Sequence, residues 1–208
     1  LYETFGMDND KWDELYEKYE RKTSIDKKKV KARDLMNQLC QERIGTGRIY
    51  VMNIDHANTH SSFEDKIYMS NLCTEITLPT TPISHIDDKE EGEIALCVLS
   101  AINCGEIKAL SDLEGVCENI VRSLDFVIEH QDYPVEAAKK MLKRRSVGVG
   151  LTNLAYYLAK NDAKYDSKEA LVLVDELMEH IQYYLIKASV KLAKEFGPCE
   201  WFNRTKYS

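Results

Sequence analysis

Residues 70–80 read Ser70-Asn71-Leu72-Cys73-Thr74-Glu75-Ile76-Thr77-Leu78-Pro79-Thr80, with Asn-x-Cys-x-Glu at their centre. In an extended chain, side chains at i and i+2 point the same way, about 7 Å apart. This spacing predicts that Asn71, Cys73 and Glu75 share one face, setting an amide, a thiol and a carboxylate side by side. Leu72, Thr74 and Ile76 face the other way and anchor the segment in a core. Pro79 and Pro82 close the run, because proline cannot continue a paired strand. Few chemistries use a thiol beside a carboxylate base, and radical abstraction from a sugar is one. A cysteine thiyl radical can take a hydrogen atom from a sugar carbon, because S–H and activated C–H bonds are close in strength. The carboxylate can act as general base on the adjacent hydroxyl where burial raises its pKa. The amide can orient that hydroxyl. The structural reading of the same pattern stands beside this one: a buried cysteine is commonly a small hydrophobe, and a glutamate can face solvent from a loop.

The bulk properties narrow the class. A length of 208 residues suffices for one sizeable core or two small ones. Hydrophobic content of 44% with 30% charged residues is that of an ordinary soluble globular protein. A net charge of -7 argues against a sequence-independent grip on nucleic acid. No apolar stretch reaches the roughly 18–20 residues that span a bilayer. No signal peptide opens the chain. The first residue is Leu1 and not methionine, so the sequence reads as a segment of something longer. Cys40, Cys73, Cys97, Cys104, Cys117 and Cys199 form no C-x-x-C pair, so a structural zinc site is unsupported. Their scatter fits reduced thiols in a cytoplasmic protein.

Along the chain, Trp12, Tyr16 and Tyr19 predict a helix over 9–20, and Val30 to Cys40 a second, from 28 to about 43. Gly45 and Gly47 end it. Arg48 to Asn53 reads as a strand and residues 54–68 as loop. The run Ile94-Ala95-Leu96-Cys97-Val98-Leu99 predicts a strand buried on both faces. Ser111 with Glu114 forms a capping box for a helix reaching His130. Pro134 opens another, to about Lys143. Val147 to Leu151 is a strand, and Thr152 to Lys160 a helix. The longest helix covers Lys168 to Phe196, capped by Asp166 and stopped by Gly197 and Pro198. Strands alternating with helices give an α/β class with parallel pairing. Three or four strands are too few for a closed sheet and leave an edge that needs a partner. A larger barrel or sheet, of which this is one part, accounts for that.

Other groups have milder readings. Cys97 reads as a core residue or as a redox thiol entering the same cavity as Cys73. His56 and His60 are four apart, a metal-binding spacing on a helix but not on a loop; no metal site is predicted. Gly148-Val149-Gly150 fits close backbone packing better than a phosphate cradle. Lys27 to Lys29 and Lys143 to Arg145 read as solvated faces or partner contacts.

The string 70–80 resembles the active-site loop of the class I ribonucleotide reductase large subunit. The likeness extends over Gln41-Glu42-Arg43, Thr46-Gly47-Arg48-Ile49-Tyr50, Asn53-Ile54-Asp55-His56, and Gly92-Glu93-Ile94-Ala95-Leu96-Cys97-Val98-Leu99-Ser100-Ala101. It continues through Gln131-Asp132-Tyr133-Pro134, Asn153-Leu154-Ala155-Tyr156-Tyr157-Leu158-Ala159-Lys160 and Ile181-Gln182-Tyr183-Tyr184-Leu185. The resemblance covers essentially the whole chain, and several ordered matches are more specific than one motif.

The resemblance implies part of a ten-stranded α/β barrel with a finger loop inserted through its centre. Residues 1–208 would be a helix-rich central segment of that barrel domain, with flanking parts absent. It implies that Cys73 is the transient thiyl radical, that Glu75 is the base at the 3′ hydroxyl, and that Asn71 holds the ribose hydroxyls. Asn71, Leu72, Cys73 and Glu75 would touch the substrate, a ribonucleoside diphosphate. Cys97 would be one of two redox cysteines. Its partner cysteine, the effector-binding regions (ATP among the effectors) and the relay tyrosines have no counterpart here. No cofactor binds directly: a metal-containing small subunit supplies the radical, and thioredoxin or glutaredoxin the reducing equivalents. Remaining large-subunit segments complete the enzyme, with no nucleic acid or membrane as partner. The alternative is a non-catalytic α/β or helical interaction module whose cysteines are core packing.

Overall fold

The computed structural model describes Thr4 and residues 9–208. The chain forms two compact units, residues 1–81 with 204–208, and residues 82–203.

In the first unit, α1 covers Asn9–Arg21, α2 Ala32–Thr46 and α3 Ile54–Thr59. Trp12 and Tyr16, one turn apart on α1, stack at 5.0 Å. Gly47 ends α2 in the left-handed region (φ 66°), and its N–H donates to the Arg43 carbonyl at 2.9 Å. That geometry is why glycine stands there. Residues 48–53 carry a strand-like pattern but enter no ladder; they lead into α3 without regular secondary structure. Residues expected as loop, 54–59, instead form α3. Asn58 on α3 then grips the chain returning past it. Its Nδ2 donates to the Ile67 carbonyl and its Oδ1 accepts from the Ile67 N–H, both at 2.9 Å. Ile67 is buried to 1% exposure. Arg204 pairs with Asp65 at 2.6 Å, and Phe63 bridges Thr205 in antiparallel fashion.

The second unit carries a parallel pair, β1 (Val98–Asn103) and β2 (Val147–Thr152), in register from Val98–Val147 to Asn103–Thr152. Between them come α4 (Leu113–His130), α5 (Glu136–Lys139) and α6 (Met141–Arg144); α7 (Leu154–Lys160) and α8 (Lys168–Phe196) follow. Two strands are seen among the described residues, against three or four expected, and β1 begins only at Val98. The apolar run from Ile94 to Cys97 lies ahead of the ladder, and the Ile94 N–H donates to the Ala137 carbonyl instead.

The helix α4 buries Leu113, Cys117, Val121, Leu124 and Ile128, a stripe at spacings of three and four. That stripe packs on both strands and on α8. Ile102, Cys104, Leu113, Cys117, Leu177 and Ile181 form the resulting core. Each fully buried Leu or Ile contributes about 1.5–3 kcal/mol. Above the core, Glu114, Glu118 and Arg122 of α4 meet Lys187, Lys191 and Glu195 of α8, at 2.7, 2.6 and 2.6 Å. Numbers rise together on both helices, so they run parallel.

Two caps differ from expectation. A 3-10 turn, Leu110–Asp112, precedes α4 and takes up Ser111; Asp112 accepts from the Ala109 N–H at 3.1 Å in place of the capping box. Ser167 and not Asp166 caps α8, accepting from the Ala170 N–H at 3.1 Å. The single helix expected after Pro134 is split into α5 and α6.

Candidate active site

Residues 71–76 form a closed turn and not an extended strand. The Asn71 N–H donates to the Ile76 carbonyl at 3.2 Å, and the Thr74 N–H to the Asn71 carbonyl at 3.2 Å. The Asn71 side chain completes the closure. Its Oδ1 accepts from the Ile76 N–H at 3.0 Å, and its Nδ2 donates to Glu75 Oε1. Asparagine suits this role because its short amide imitates backbone groups. Thr74 takes φ 66°, the left-handed region that reverses the chain. The period-of-two face is therefore corrected: a reversing backbone does not alternate its side chains. The proposed anchor fails in part for the same reason. Thr74 and Ile76 are half-buried, but Leu72 is 85% exposed.

The turn brings two of the expected groups together. Asn71 and Glu75 touch directly, and Cys73 sits at the bend between them. All three are exposed. Tyr50, from the irregular stretch before α3, lies near this turn. The nearby Cys73 side chain, chiefly through its hydrogen-bonding effect on the phenol, raises the Tyr50 pKa above the usual phenol value. The charges of Cys73 and Glu75 push the same way, with burial; the Arg43 charge opposes them. Protonated, the phenol can donate into the site. Tyr50 was missed by pattern reading, since nothing in its spacing links it to Cys73, 23 positions on.

Cys97 belongs to the second unit, just ahead of β1. It is half-buried, and burial pushes its thiol pKa up. The sulfur therefore stays S–H at neutral pH, the form that can give up hydrogen. All six cysteines are free; Cys104 and Cys117 are fully buried and pack in the core.

His56 and His60 approach at 5.9 Å between ring centres, and α3 gives them the helical spacing. The described residues contain no group of three or more His, Cys, Asp or Glu able to hold a metal ion. No helix among them is long and apolar enough to cross a membrane. Lys143 to Arg145 is not a solvated face. Lys143 binds Glu200 at 2.8 Å, Arg144 the buried Glu93 at 2.6 Å, and Arg145 both Asp125 and Glu129 at 2.7 and 2.8 Å. A groove of about 1030 Å³ lies by the ends of α4 and α8, but none of Asn71, Cys73, Glu75 or Cys97 lines it.

The model of the ribonucleotide reductase barrel-domain family matches residues 1–208. The chain belongs to this family. The ribonucleoside-diphosphate reductase alpha subunit of Haemophilus influenzae is 54% identical over 212 residues, covering 100% of this chain and 28% of that protein. The alpha subunit of Escherichia coli ribonucleoside-diphosphate reductase 1 is 50% identical over 212 residues, and the enterobacteria phage T4 alpha subunit 44% over 213, again with 100% of this chain and 28% of theirs. Among solved structures, the Actinobacillus ureae class Id ribonucleotide reductase alpha subunit matches with TM-score 0.68 and 29% identity, over 82% of this chain and 33% of that one. The two parallel strands with their covering helices are thus part of an α/β barrel. The chain spans a little over a quarter of the curated ribonucleotide reductase subunits it matches.

Proposed function

We propose that these 208 residues are the central segment of the catalytic barrel of a ribonucleoside-diphosphate reductase. One observation carries the reading: within a chain of this family, a single turn holds Asn71 against Glu75 and carries Cys73 at the bend between them. A metal-containing small subunit supplies the radical. Cys73, as thiyl, takes the 3′ hydrogen of the ribonucleotide. Glu75 accepts the 3′ hydroxyl proton, and Asn71 holds the ribose hydroxyls, with Leu72 beside the substrate. The 2′ hydroxyl leaves as water after protonation. Two thiols, Cys97 and a second cysteine outside these residues, give two electrons and two protons and close to a disulfide. The 3′ hydrogen then returns from Cys73, restoring its thiyl. Thioredoxin or glutaredoxin reduces the disulfide. The rest of the large subunit supplies the effector sites, and the setting is cytoplasmic.

The test is Cys73→Ala in the complete enzyme. Cys73 sits exposed at a turn, so its removal leaves folding intact while abolishing deoxynucleotide formation. Normal product formation by the variant refutes the assignment. Cys97→Ser is expected to stop steady-state cycling with thioredoxin and to leave substrate open to radical damage. Unimpaired cycling removes Cys97 from the mechanism.

A further inference from the structure

We propose that the Glu93–Arg144 pair and Gly148 act together to position the Cys97 sulfur. The inference rests on the reading of Cys97 as a redox thiol and names residues that would set its place.

Glu93 and Arg144 are the buried charged residues of the described chain, at 6% and 7% exposure. They meet as a two-pronged pair, Nε to Oε1 at 2.6 Å and Nη2 to Oε2 at 2.9 Å. The guanidinium carbon lies over the Trp201 ring, 4.9 Å from its centre. A buried ion pair is a poor source of stability, since apolar residues of similar volume commonly do as well. What such a fork does provide is fixed geometry.

Its location says what is fixed. Glu93 precedes Cys97 by four residues, and Arg144 precedes Gly148 by four. The pair therefore ties together the two stretches that lead into β1 and β2. The Glu93 side is held further. Lys140 Nζ donates to the carbonyls of Glu90 and Gly92 at 2.8 and 2.6 Å, and the Ile94 N–H donates to Ala137 at 3.0 Å. The stretch carrying Cys97 is thus pinned from 90 to 94 and again where β1 begins.

Gly148 completes the seat. It pairs with Leu99 in the parallel register. Cys97 is two residues before Leu99, and Gly148 sits against both side chains. A Cβ at Gly148 would stand 3.1 Å from Cys97 Sγ and 2.6 Å from Leu99 Cδ2. Gly148 is not among the glycines with positive φ, so its backbone admits any residue. The glycine is there for space, which the Leu99 side chain and, next to it, the Cys97 sulfur share.

The test uses the complete reductase carrying L99A, L99A/G148A, E93L/R144M or C97S. Leu99→Ala removes the flexible clash, so the double variant leaves only the pressure of the new Cβ on the sulfur. Four quantities are read: melting temperature, kcat with thioredoxin, KM for the ribonucleoside diphosphate, and the rate at which iodoacetamide alkylates Cys97. L99A, which loses packing on the face that the barrel encloses, is the baseline against which the double variant is read. L99A/G148A should lose up to about 100-fold in kcat with KM unchanged, the cost of a misplacement of about 1 Å, and its Cys97 alkylation rate should change. E93L/R144M should melt near the wild-type temperature, yet lose kcat and expose Cys97 to faster alkylation. A purely structural pair would be restored in both respects. Should E93L/R144M fail to fold, Lys140→Met, which removes only the two carbonyl contacts, takes its place. The kcat and alkylation of L99A in L99A/G148A, or those of wild type in the folded pair variant, overturn the proposal. Normal cycling by C97S defeats the redox reading instead, and the alkylation rates then decide the positioning by themselves.

Discussion

Asn71 takes part in every hydrogen bond that closes the candidate turn, two through its backbone and two through its side chain. Asn71→Ala removes the acceptor that holds the Ile76 N–H and frees the Glu75 carboxylate. One such bond is worth about 1 kcal/mol, so the Ile76 amide should exchange with solvent roughly fivefold faster in Asn71→Ala. Asn71→Asp keeps an oxygen in place and should preserve that protection while still impairing turnover. Equal exchange in wild type and Asn71→Ala would mean that the side chain does not close the turn. Thr74 is the other telling residue. A β-branched side chain at φ 66° is strained, at about 1–2 kcal/mol. The sequence made the identities of Asn71, Cys73 and Glu75 legible, but not the backbone that unites them. A period of two presumes an extended chain, and here an asparagine amide and a left-handed threonine replace that geometry. Tyr50 was not legible at all, because its approach to Cys73 is made by tertiary structure.

Among the elements, α4 and α8 were the most readable. Their apolar stripes run for many turns, and Gly197 with Pro198 marks the end of α8. What the stripes did not show is how the helices pair. The ladder of Glu114, Glu118 and Arg122 with Lys187, Lys191 and Glu195 needs two faces 73 residues apart in sequence to be brought together. Lys143 to Arg145 was misread for the same reason: each of the three charges binds a different distant element. The ladder predicts an acid response. Hydrogen bonds from Lys191 and Arg122 hold Glu118 below the usual glutamate range, and Arg122 does the same for Glu195. Groups with depressed pKa stabilise the fold above the unfolded value, about 4.3, and lose that contribution as pH falls through the folded value. The melting temperature should therefore drop as pH goes from 5 towards 3, and drop less in Arg122→Met. The same slope in both would remove the ladder from the stability of this unit. High salt should also shrink the difference, since exposed pairs are screened. The core beneath is a separate matter: Leu177→Ala, at a fully buried position, should cost about 2–5 kcal/mol at any salt.

At the scale of the whole chain, the sequence pointed to a fragment of a barrel, and its over-count of strands came from reading local pattern as pairing. Arg48 to Asn53 has strand composition but no neighbour to pair with among the described residues. A strand exists only where a partner completes its ladder. The second unit shows the converse. Its parallel pair has helices packed on one face, while Leu99 and Ala101 on β1 stand exposed on the other. Parallel sheets are normally covered on both faces, and two strands alone are marginal in water. The 208-residue chain by itself should therefore associate, with an apparent mass in sedimentation that rises with concentration. Leu99→Lys places a charge on the bare face and should shift that equilibrium towards monomer. In the complete enzyme the same substitution should depress assembly or turnover, since that face would then be interior to the barrel. A strictly monomeric chain across the micromolar range, indifferent to Leu99→Lys, would show that the face is content in water. The barrel would then need some other surface to close upon, and the proposed reading of a segment completed by further strands would fail with it.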